Sequence, residues 1–400
     1  MKKVCGIVAE YNPFHNGHRY HLDATRAQLG EDCAMVCVMS GNFVQRGAPA
    51  VLEKHARAEA ALRCGADLVI ELPLPWALSS AEGFARGAVS LLRAAGVVNY
   101  LSFGSESGTL APLRESAAVL LLPELDELVR EELRRGDSYA AARQRAAERL
   151  AGSALPVLNR PNDMLGVEYL KAIAVLKAPI QPLTVLRRGA GHDEAGRGGF
   201  SSASDLRQRM ETGTALAEAV PPEALEVYVR ESEQGRGPAD RNMLETALLS
   251  RLRNASAAVF AALPDAGEGL ENRLRRAART APTLAALLEE AAAKRYTLSR
   301  LRRMLWGAAL GLRREDVLGR LPPYLRVLGA NAAGRGLLAE MRKTAQAPIL
   351  TRPAAVHGLD SNARRVFALE AAATDLWSLG APDCASRRGD AEWKRGPVML

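Results

Sequence analysis

Short apolar runs alternate with amphipathic stretches along the first hundred residues. The runs at 4–9, 33–39, 67–72 and 98–103 are stopped by Pro13, by Ser40-Gly41, by Pro73 and by Gly104-Ser105-Glu106. Runs this short and this strongly bounded read as buried strands. Between them, 16–29, 54–64 and 80–95 have helical character and are closed by Gly30, Gly65 and Gly96, the residue type that most easily ends a helix. Strands and helices alternating at this spacing predict βαβ units around a parallel sheet. The pattern then turns helical, over 124–150 and over 162–176 after Pro161, and 180–186 reads as one more strand. A Gly-rich stretch follows at 189–199. Beyond 211 nearly everything reads as helix, with loops near Gly235 and Pro264 and a polar, irregular end from about 380. The expected class is α/β: a Rossmann-like parallel-sheet domain over 1–210, followed by a mainly α-helical domain over 211–400. No internal repeat is visible.

Composition narrows the classes further. The chain has 400 residues, 48% apolar and 24% charged. That is an ordinary globular profile, long enough to bury a core without cross-links. No apolar run is long enough to span a bilayer, so no membrane partner is expected. The Met1-Lys2-Lys3 start runs directly into strand-like sequence, and a cytoplasmic protein is expected. Five cysteines, an odd number without zinc spacing, read as small core hydrophobes. A net charge of +8, carried largely by arginine, fits a nucleotide or nucleic-acid partner.

The chemistry concentrates in one string, Gly6-Ile7-Val8-Ala9-Glu10-Tyr11-Asn12-Pro13-Phe14-His15-Asn16-Gly17-His18-Arg19-Tyr20-His21, which holds three of the six histidines. His15 and His18 fall between a strand and a helix. A helix N-terminus offers unpaired N–H groups and the positive end of its dipole to phosphate. Gly17 leaves room for a nucleotide to approach the backbone. Two imidazoles there suit a transition state in which charge builds on the α-phosphate and on leaving pyrophosphate. The plain alternative is a set of surface or metal-binding histidines.

His15-Asn16-Gly17-His18 resembles the signature of the nucleotidyltransferase superfamily shared with class I aminoacyl-tRNA synthetases. With Glu10 to His18 and Ser40-Gly41-Asn42-Phe43-Val44-Gln45-Arg46-Gly47, the chain resembles one family, the bacterial tRNA(Met) cytidine acetate ligases. Further matching strings are Phe103-Gly104-Ser105-Glu106, 161–169, Ser201 to Arg207, Lys294 to Thr297 and 324–329. The resemblance implies ATP-dependent activation of acetate as acetyl-adenylate, with release of pyrophosphate. The acetyl group then passes to the wobble cytidine of elongator tRNA(Met), giving N4-acetylcytidine. It implies ATP as substrate, Mg2+ arriving with ATP and no protein-built metal site. A small-molecule adenylyltransferase acting without RNA is the alternative.

By the same resemblance, Ile7 to His21 line the nucleotide, with His15 and His18 catalytic on the phosphates. Gly104, Asn162 and Arg187 are further ATP contacts. A plain turn glycine is the alternative for Gly104 and a helix N-cap for Asn162. Adjacent Arg188 leaves the register of Arg187 open, because the family's Tyr-His pair after its arginine is replaced here by Gly191-His192-Asp193. Ser201, Ser202, Ser204 and Arg207 resemble a second phosphate-binding signature, with a Ser-rich helix N-cap as the alternative, and Asn42, in a Gly-flanked loop, is a candidate phosphate or adenylate contact, with cytidine or its own backbone as the alternatives. Glu10 and Asp67 are candidate Mg2+ or positioning groups, with a capping role as the favoured alternative. In the helical half, Arg295, Arg302 and Arg303 are candidate tRNA contacts among clustered arginines. Tyr296, Trp306 and Tyr324 could stack bases or pack in the core.

Overall fold

The computed structural model describes residues 3–136, 138–188, 201–293 and 295–400. Its strands are β1 (Val4–Ala9), β2 (Ala34–Ser40), β3 (Phe43–Val44), β4 (Ala48–Pro49), β5 (Leu68–Leu72), β6 (Tyr100–Ser105), β7 (Gln181–Leu186), β8 (Leu325–Ala330), β9 (Ile349–Leu350) and β10 (Val398–Met399). The main sheet runs β10-β8-β5-β2-β1-β6-β7, with β9 added beside β8 and β3-β4 forming a separate hairpin. The strands expected from the apolar runs are all present, within two residues at either end. Along β1 and β2 side chains alternate between two cores. Val4, Val36 and Val38 face one, while Cys5, Ile7, Met35, Cys37 and Met39 face the other. Both faces are covered, which is why these strands read as continuous apolar runs.

Helices α1 (Asn16–Leu29) and α2 (Lys54–Arg63) cover one face. Then α3 (Leu74–Ala77) and α4 (Ala81–Ala94) lead into β6. The segment expected as one helix over 124–150 is broken in two. After α5 (Ala111–Val119) come α6 (Leu125–Arg134) and α7 (Tyr139–Ala151), separated at Gly136, whose φ of +91° no helix accommodates. Next, α8 (Pro161–Val175) packs on α4 and α5 and leads into β7. With β1, β2, β5, β6 and β7 taken as five parallel strands, the spatial order is 3-2-1-4-5. The chain reverses direction across the sheet between β1 and β6, and ligands of open α/β sheets bind outside the carboxyl ends of the strands at such a point.

From α9 (Ala203–Thr212) the chain is helical: α10 (Pro222–Glu233), α11 (Arg241–Asn254), α12 (Ala257–Ala261), α13 (Leu270–Thr280), α14 (Leu284–Ala291) and α15 (Leu298–Leu310). Helix α10 packs on α2, and α11 to α15 enclose a third core with Phe43, Leu74 and Leu78. The helical run does not extend to the chain's end. Strand β8 inserts antiparallel beside β5. Helices α16 (Ala332–Thr344), α17 (Ser361–Ser378) and α18 (Ala391–Lys394) then pack back, and β10 joins β8 in parallel. A six-residue apolar run amid helices carries no period that distinguishes a buried strand from a buried helix. Four cysteines, Cys5, Cys33, Cys37 and Cys64, are free and buried, as expected of core hydrophobes, and Cys384 is exposed. Among the described residues no helix is long and apolar enough to cross a membrane.

Candidate active site

The carboxyl end of β1 runs through Glu10 into a tight turn. Tyr11 adopts φ +46° and Asn12-Pro13 is cis. His15 is the N-cap of α1. Its Nδ1 accepts the Gly17 N–H at 3.0 Å, and His18 Nδ1 accepts the His15 N–H at 3.2 Å. Each ring thus has its Nδ1 lone pair occupied by a backbone donor, so in the neutral form the proton sits on Nε2. The rings stack with centroids 3.8 Å apart. His18 also meets Tyr11 edge-on at 4.9 Å. Neither Nε2 has a hydrogen-bond partner among the described residues. The pair is therefore two parallel N–H donors held in fixed orientation at the turn.

Burial lowers His15 to about 3, and the Arg187 and Arg207 guanidiniums add to the depression. Burial likewise lowers His18, helped by His15, Arg187 and His21, and brings His21 to about 4, helped by Arg187. His21 is held at Nε2 by Ser102 Oγ at 2.9 Å, and Ser102 Oγ also meets Thr25 Oγ1 at 2.8 Å. The three histidines are thus neutral near pH 7, and the positive charge of the site is supplied by arginine.

The structure corrects the expectation that the amides of α1 are open to phosphate. Asn16 N–H donates to Ala219 O, Gly17 N–H to His15 Nδ1 and His18 N–H to His15 O. The imidazoles take the place of the amides. Gly17 has a different reason as well. A Cβ there would lie 2.8 Å from His15 Cε1 and 3.0 Å from its Nδ1, so the glycine makes room for the His15 ring. Gly17→Ala should swing that ring out of place and reduce pyrophosphate exchange at least tenfold. Stability should change by less than about 1 kcal/mol, because alanine is the better helix former. A mutant with normal exchange would show that the ring's seat is immaterial.

The other residues named from sequence fall into two groups. Gly104 lies within β6 rather than in a turn. A Cβ there would come 3.1 Å from Arg187 Cγ, so the missing side chain lets the arginine stem cross the strand end. Arg187 N–H donates to Ser105 O and its charge reaches all three histidines, whereas Arg188 lies over the Tyr20 ring at 4.7 Å. That geometry favours Arg187 as the site arginine. Asn162 is not an N-cap: α8 begins after Arg160, and Glu106 accepts the Asn162 N–H, its Nδ2 and the Asp163 N–H at 3.1, 2.5 and 2.7 Å. Asp163 answers by accepting the Glu106 N–H at 2.9 Å. This reciprocal cap holds Asn162 beside the ends of β6 and β7. On the opposite side, Ser202 caps α9, and Arg207 donates to Asn12 O at 2.8 Å and to Ser204 Oγ at 3.3 Å. Around the histidine site thus stand Arg187 and Arg207, with Gly104 under the Arg187 stem, Asn162 held at the end of β6 by Glu106, and Ser204 bonded to Arg207.

The second group does not present side chains to it. Ile7, Tyr11 and Phe14 are core residues, and the Tyr11 hydroxyl meets Cys37 Sγ. Asn12 spends its Oδ1 on the Val51 N–H. Asn16 Nδ2 donates to Glu218 O, and Arg19 pairs with Asp23 on α1 and with Glu223 on α10. Asn42 is 1% exposed. Its Oδ1 accepts the Lys54 N–H and its Nδ2 donates to Thr374 Oγ1, which makes it a brace rather than an adenylate contact. Asp67 lies just before β5, at the amino end of the sheet, where it accepts the Met35 N–H and pairs with Arg26. Arg303 is 8% exposed and turned toward Asp265, so its guanidinium is spent inside the protein. Tyr296, Trp306 and Tyr324 pack in the interior. The stretch 189–199 and Lys294 lie outside the described residues.

One residue that shapes the site was missed. Arg57 on α2 is fully buried and donates to the carbonyls of Glu10, Ser40, Gly41 and Leu52. It ties the ends of β1 and β2 together where the crevice opens. An arginine at a core-facing position of an Ala-rich helix was the available signal.

A family model described as HIGH Nucleotidyl Transferase matches residues 1–392. The tRNA(Met) cytidine acetate ligase of Acetivibrio thermocellus is 38% identical over 415 residues, covering 100% of both chains. This chain belongs to the tRNA(Met) cytidine acetate ligase family. A further relative so named, from Syntrophotalea carbinolica, is 42% identical and covers 87% of this chain and 84% of its own. Thermotoga maritima TmcAL in its apo crystal form is similar with a TM-score of 0.94 at 36% identity, covering 100% of this chain and 99% of that one. The same enzyme bound with alpha-thio ATP gives 0.92. The family assignment extends across the α/β sheet, the helical segment and the strands that return.

Proposed function

We propose that the protein is an ATP-dependent ligase that activates acetate as acetyl-adenylate and transfers the acetyl group to the wobble cytidine of elongator tRNA(Met). The observation that carries this reading is the stacked His15–His18 pair, with both Nδ1 atoms on backbone N–H groups, at the point where the sheet order reverses. In the first step an acetate oxygen attacks the α-phosphorus of ATP and the bond to the β-phosphate oxygen breaks, releasing pyrophosphate. The two Nε2–H groups, with Arg187 and Arg207 nearby, are suited to the charge that grows on these oxygens. In the second step the cytidine N4 amine attacks the acetyl carbonyl, AMP leaves, and the amine loses its proton. The mixed anhydride is activated enough that no covalent enzyme nucleophile is required, and the site's task is in-line positioning.

Mg2+ fits this reading as a companion of ATP. Among the described residues no group of three His, Cys, Asp or Glu side chains could hold a metal ion, and magnesium is commonly held by substrate phosphates with one or two carboxylates. The RNA would lie toward the helical segment, where Arg295 is exposed beside the Tyr296 ring at 5.0 Å.

ATP–pyrophosphate exchange tests the first step. Exchange should require acetate, and addition of tRNA(Met) should yield N4-acetylcytidine and AMP. Exchange indifferent to acetate would overturn the reading in favour of a small-molecule adenylyltransferase.

A further inference from the structure

A second set of arginines stands beside the nucleotide crevice, and the adenylation step leaves it unused. Arg46 occupies the turn between β3 and β4, where Gly47 lies flush against α15. A Cβ on Gly47 would come 2.7 Å from Arg302 Cβ and 2.5 Å from the Arg303 nitrogen. The turn is therefore fixed to that helix, and Arg46 and Arg302 emerge side by side. Arg241 opens α11 and pairs with Glu211 at 2.5 Å. Glu211 lies one turn beyond Arg207 on α9, so Arg241 and Arg207 are neighbours through that helix. Four guanidiniums, from the β3–β4 turn, α9, α11 and α15, thus gather on one side of Glu10 and Asn12.

The set is under-neutralised. Arg46 is exposed and Arg302 half-exposed, and neither has a hydrogen bond or ion pair among the described residues. Burial lowers Arg302, with Arg241 and Arg46 adding to it. The same two arginines act on Arg207, against Glu10 and Glu211. The unpaired charges of Arg46 and Arg302 beside Arg241 and Arg207 cost stability unless an anion joins them, and the planar guanidinium fork suits phosphate oxygens. Arg303, the next residue along α15, is instead buried and paired with Asp265, so the helix presents one arginine to the crevice and spends the other on its own packing.

We propose that Arg46, Arg241 and Arg302 form a seat for the phosphodiester backbone next to the cytidine that is acetylated. The inference rests on the tRNA reading above. The N4 amine must reach an acetyl group on the α-phosphate, so the phosphates flanking that nucleotide must pass close to the crevice mouth. These three arginines occupy that border and face solvent, open to a macromolecule. The β- and γ-phosphates of ATP share the same chemistry and are the competing source of the anion.

The test uses the full chain with Arg46→Ala and Arg302→Ala combined, and the same pair changed to lysine. Binding of an unmodified tRNA(Met) transcript is measured across a salt series, and acetate-dependent pyrophosphate exchange is measured without tRNA. For the alanine pair, affinity for tRNA should fall about tenfold, and the log–log salt slope should shrink by about 1.4, the value for two phosphate contacts on a single strand. The lysine pair should keep most of the slope, because it keeps the charge. Exchange should stay within about twofold of wild type. Unchanged tRNA affinity and slope would overturn the proposal, and a parallel loss of exchange would reassign the seat to ATP. Failure of the wild-type protein to show acetate-dependent exchange would instead overturn the functional reading itself.

Discussion

His18→Ala should reduce acetate-dependent pyrophosphate exchange by about 10²–10³-fold, the usual cost of removing one preorganised donor from a site of charge development. Affinity for tRNA(Met) should stay within about twofold, because no RNA contact is assigned to the ring. The mutation also removes the acceptor for the His15 N–H and the stacking partner of the His15 ring. His15→Ala and the double variant should therefore be far from additive. The pH dependence follows from the depressed histidines, with His15 near 3 and His21 near 4. In the free enzyme these rings stay neutral from pH 8 down to pH 5, so kcat/KM for ATP should show no histidine inflection around 6.5. The stability consequence has a definite sign. Above about 6.5 folded and unfolded histidines are both neutral and no stability is at stake. As pH falls below that value the unfolded chain takes up protons that the folded chain refuses, and stability drops until the folded pKa values are reached. An exchange profile with a clear inflection near 6.5 would mean that a protonated imidazole is required, contrary to the hydrogen bonds at both Nδ1 atoms.

The largest expected effect on stability is that of Lys54→Met. Lys54 is wholly buried and reaches Glu71 at 2.6 Å, Glu392 at 2.7 Å and Glu370 at 3.8 Å. Arg326 stands 3.6 Å from Glu392, and Thr374 donates to it at 2.8 Å. Burial alone would lower the Lys54 pKa, but Glu392, Glu71 and Glu370 raise it above its ordinary value. Burial and Glu71 push Glu370 well above the ordinary carboxylate range. Burial works against Glu392, yet Lys54, His55 and Arg326 keep it ionised. Removing the lysine strands the Glu392 carboxylate in the interior, which costs about 3–5 kcal/mol, a large part of the roughly 5–15 kcal/mol that holds a typical fold. Urea unfolding should show that loss, and Glu392→Gln in the same chain should restore part of it by removing a stranded charge. A wild-type midpoint for Lys54→Met would mean that the cluster contributes nothing net.

That cluster also shows where sequence reading stops. Its members stand at 54, 71, 326, 370 and 392, and no local pattern relates them. The β1-turn-α1 unit lies at the other extreme. Its strand, its N-cap and its two histidines occupy consecutive positions, so period, turn residues and ring spacing are all visible in one short string. Gly104, Asn162, Arg187 and Arg207 were named through family resemblance, and the structure sets Arg187 and Arg207 beside the histidines. Asn42 and Arg303 looked equally eligible, since a polar residue in a loop or on a basic helix reads the same whether it faces ligand or brace. Their partners, Thr374 and Asp265, lie 332 and 38 positions away. Arg57 failed in the opposite direction, because its four carbonyl partners exist only once β1, β2 and α2 are assembled.

The sequence by itself determined the parallel α/β core and the histidine pair at the β1–α1 turn, because short-range periodicity and contiguous residues encode them. Tertiary structure alone decided that β8 and β10 rejoin the sheet, that the first amides of α1 are taken up by protein acceptors, and that Arg46 is exposed while Arg303 is buried. Those outcomes depend on the burial and pairing of groups far apart in the chain, and burial is a property of the packed molecule rather than of any segment in it.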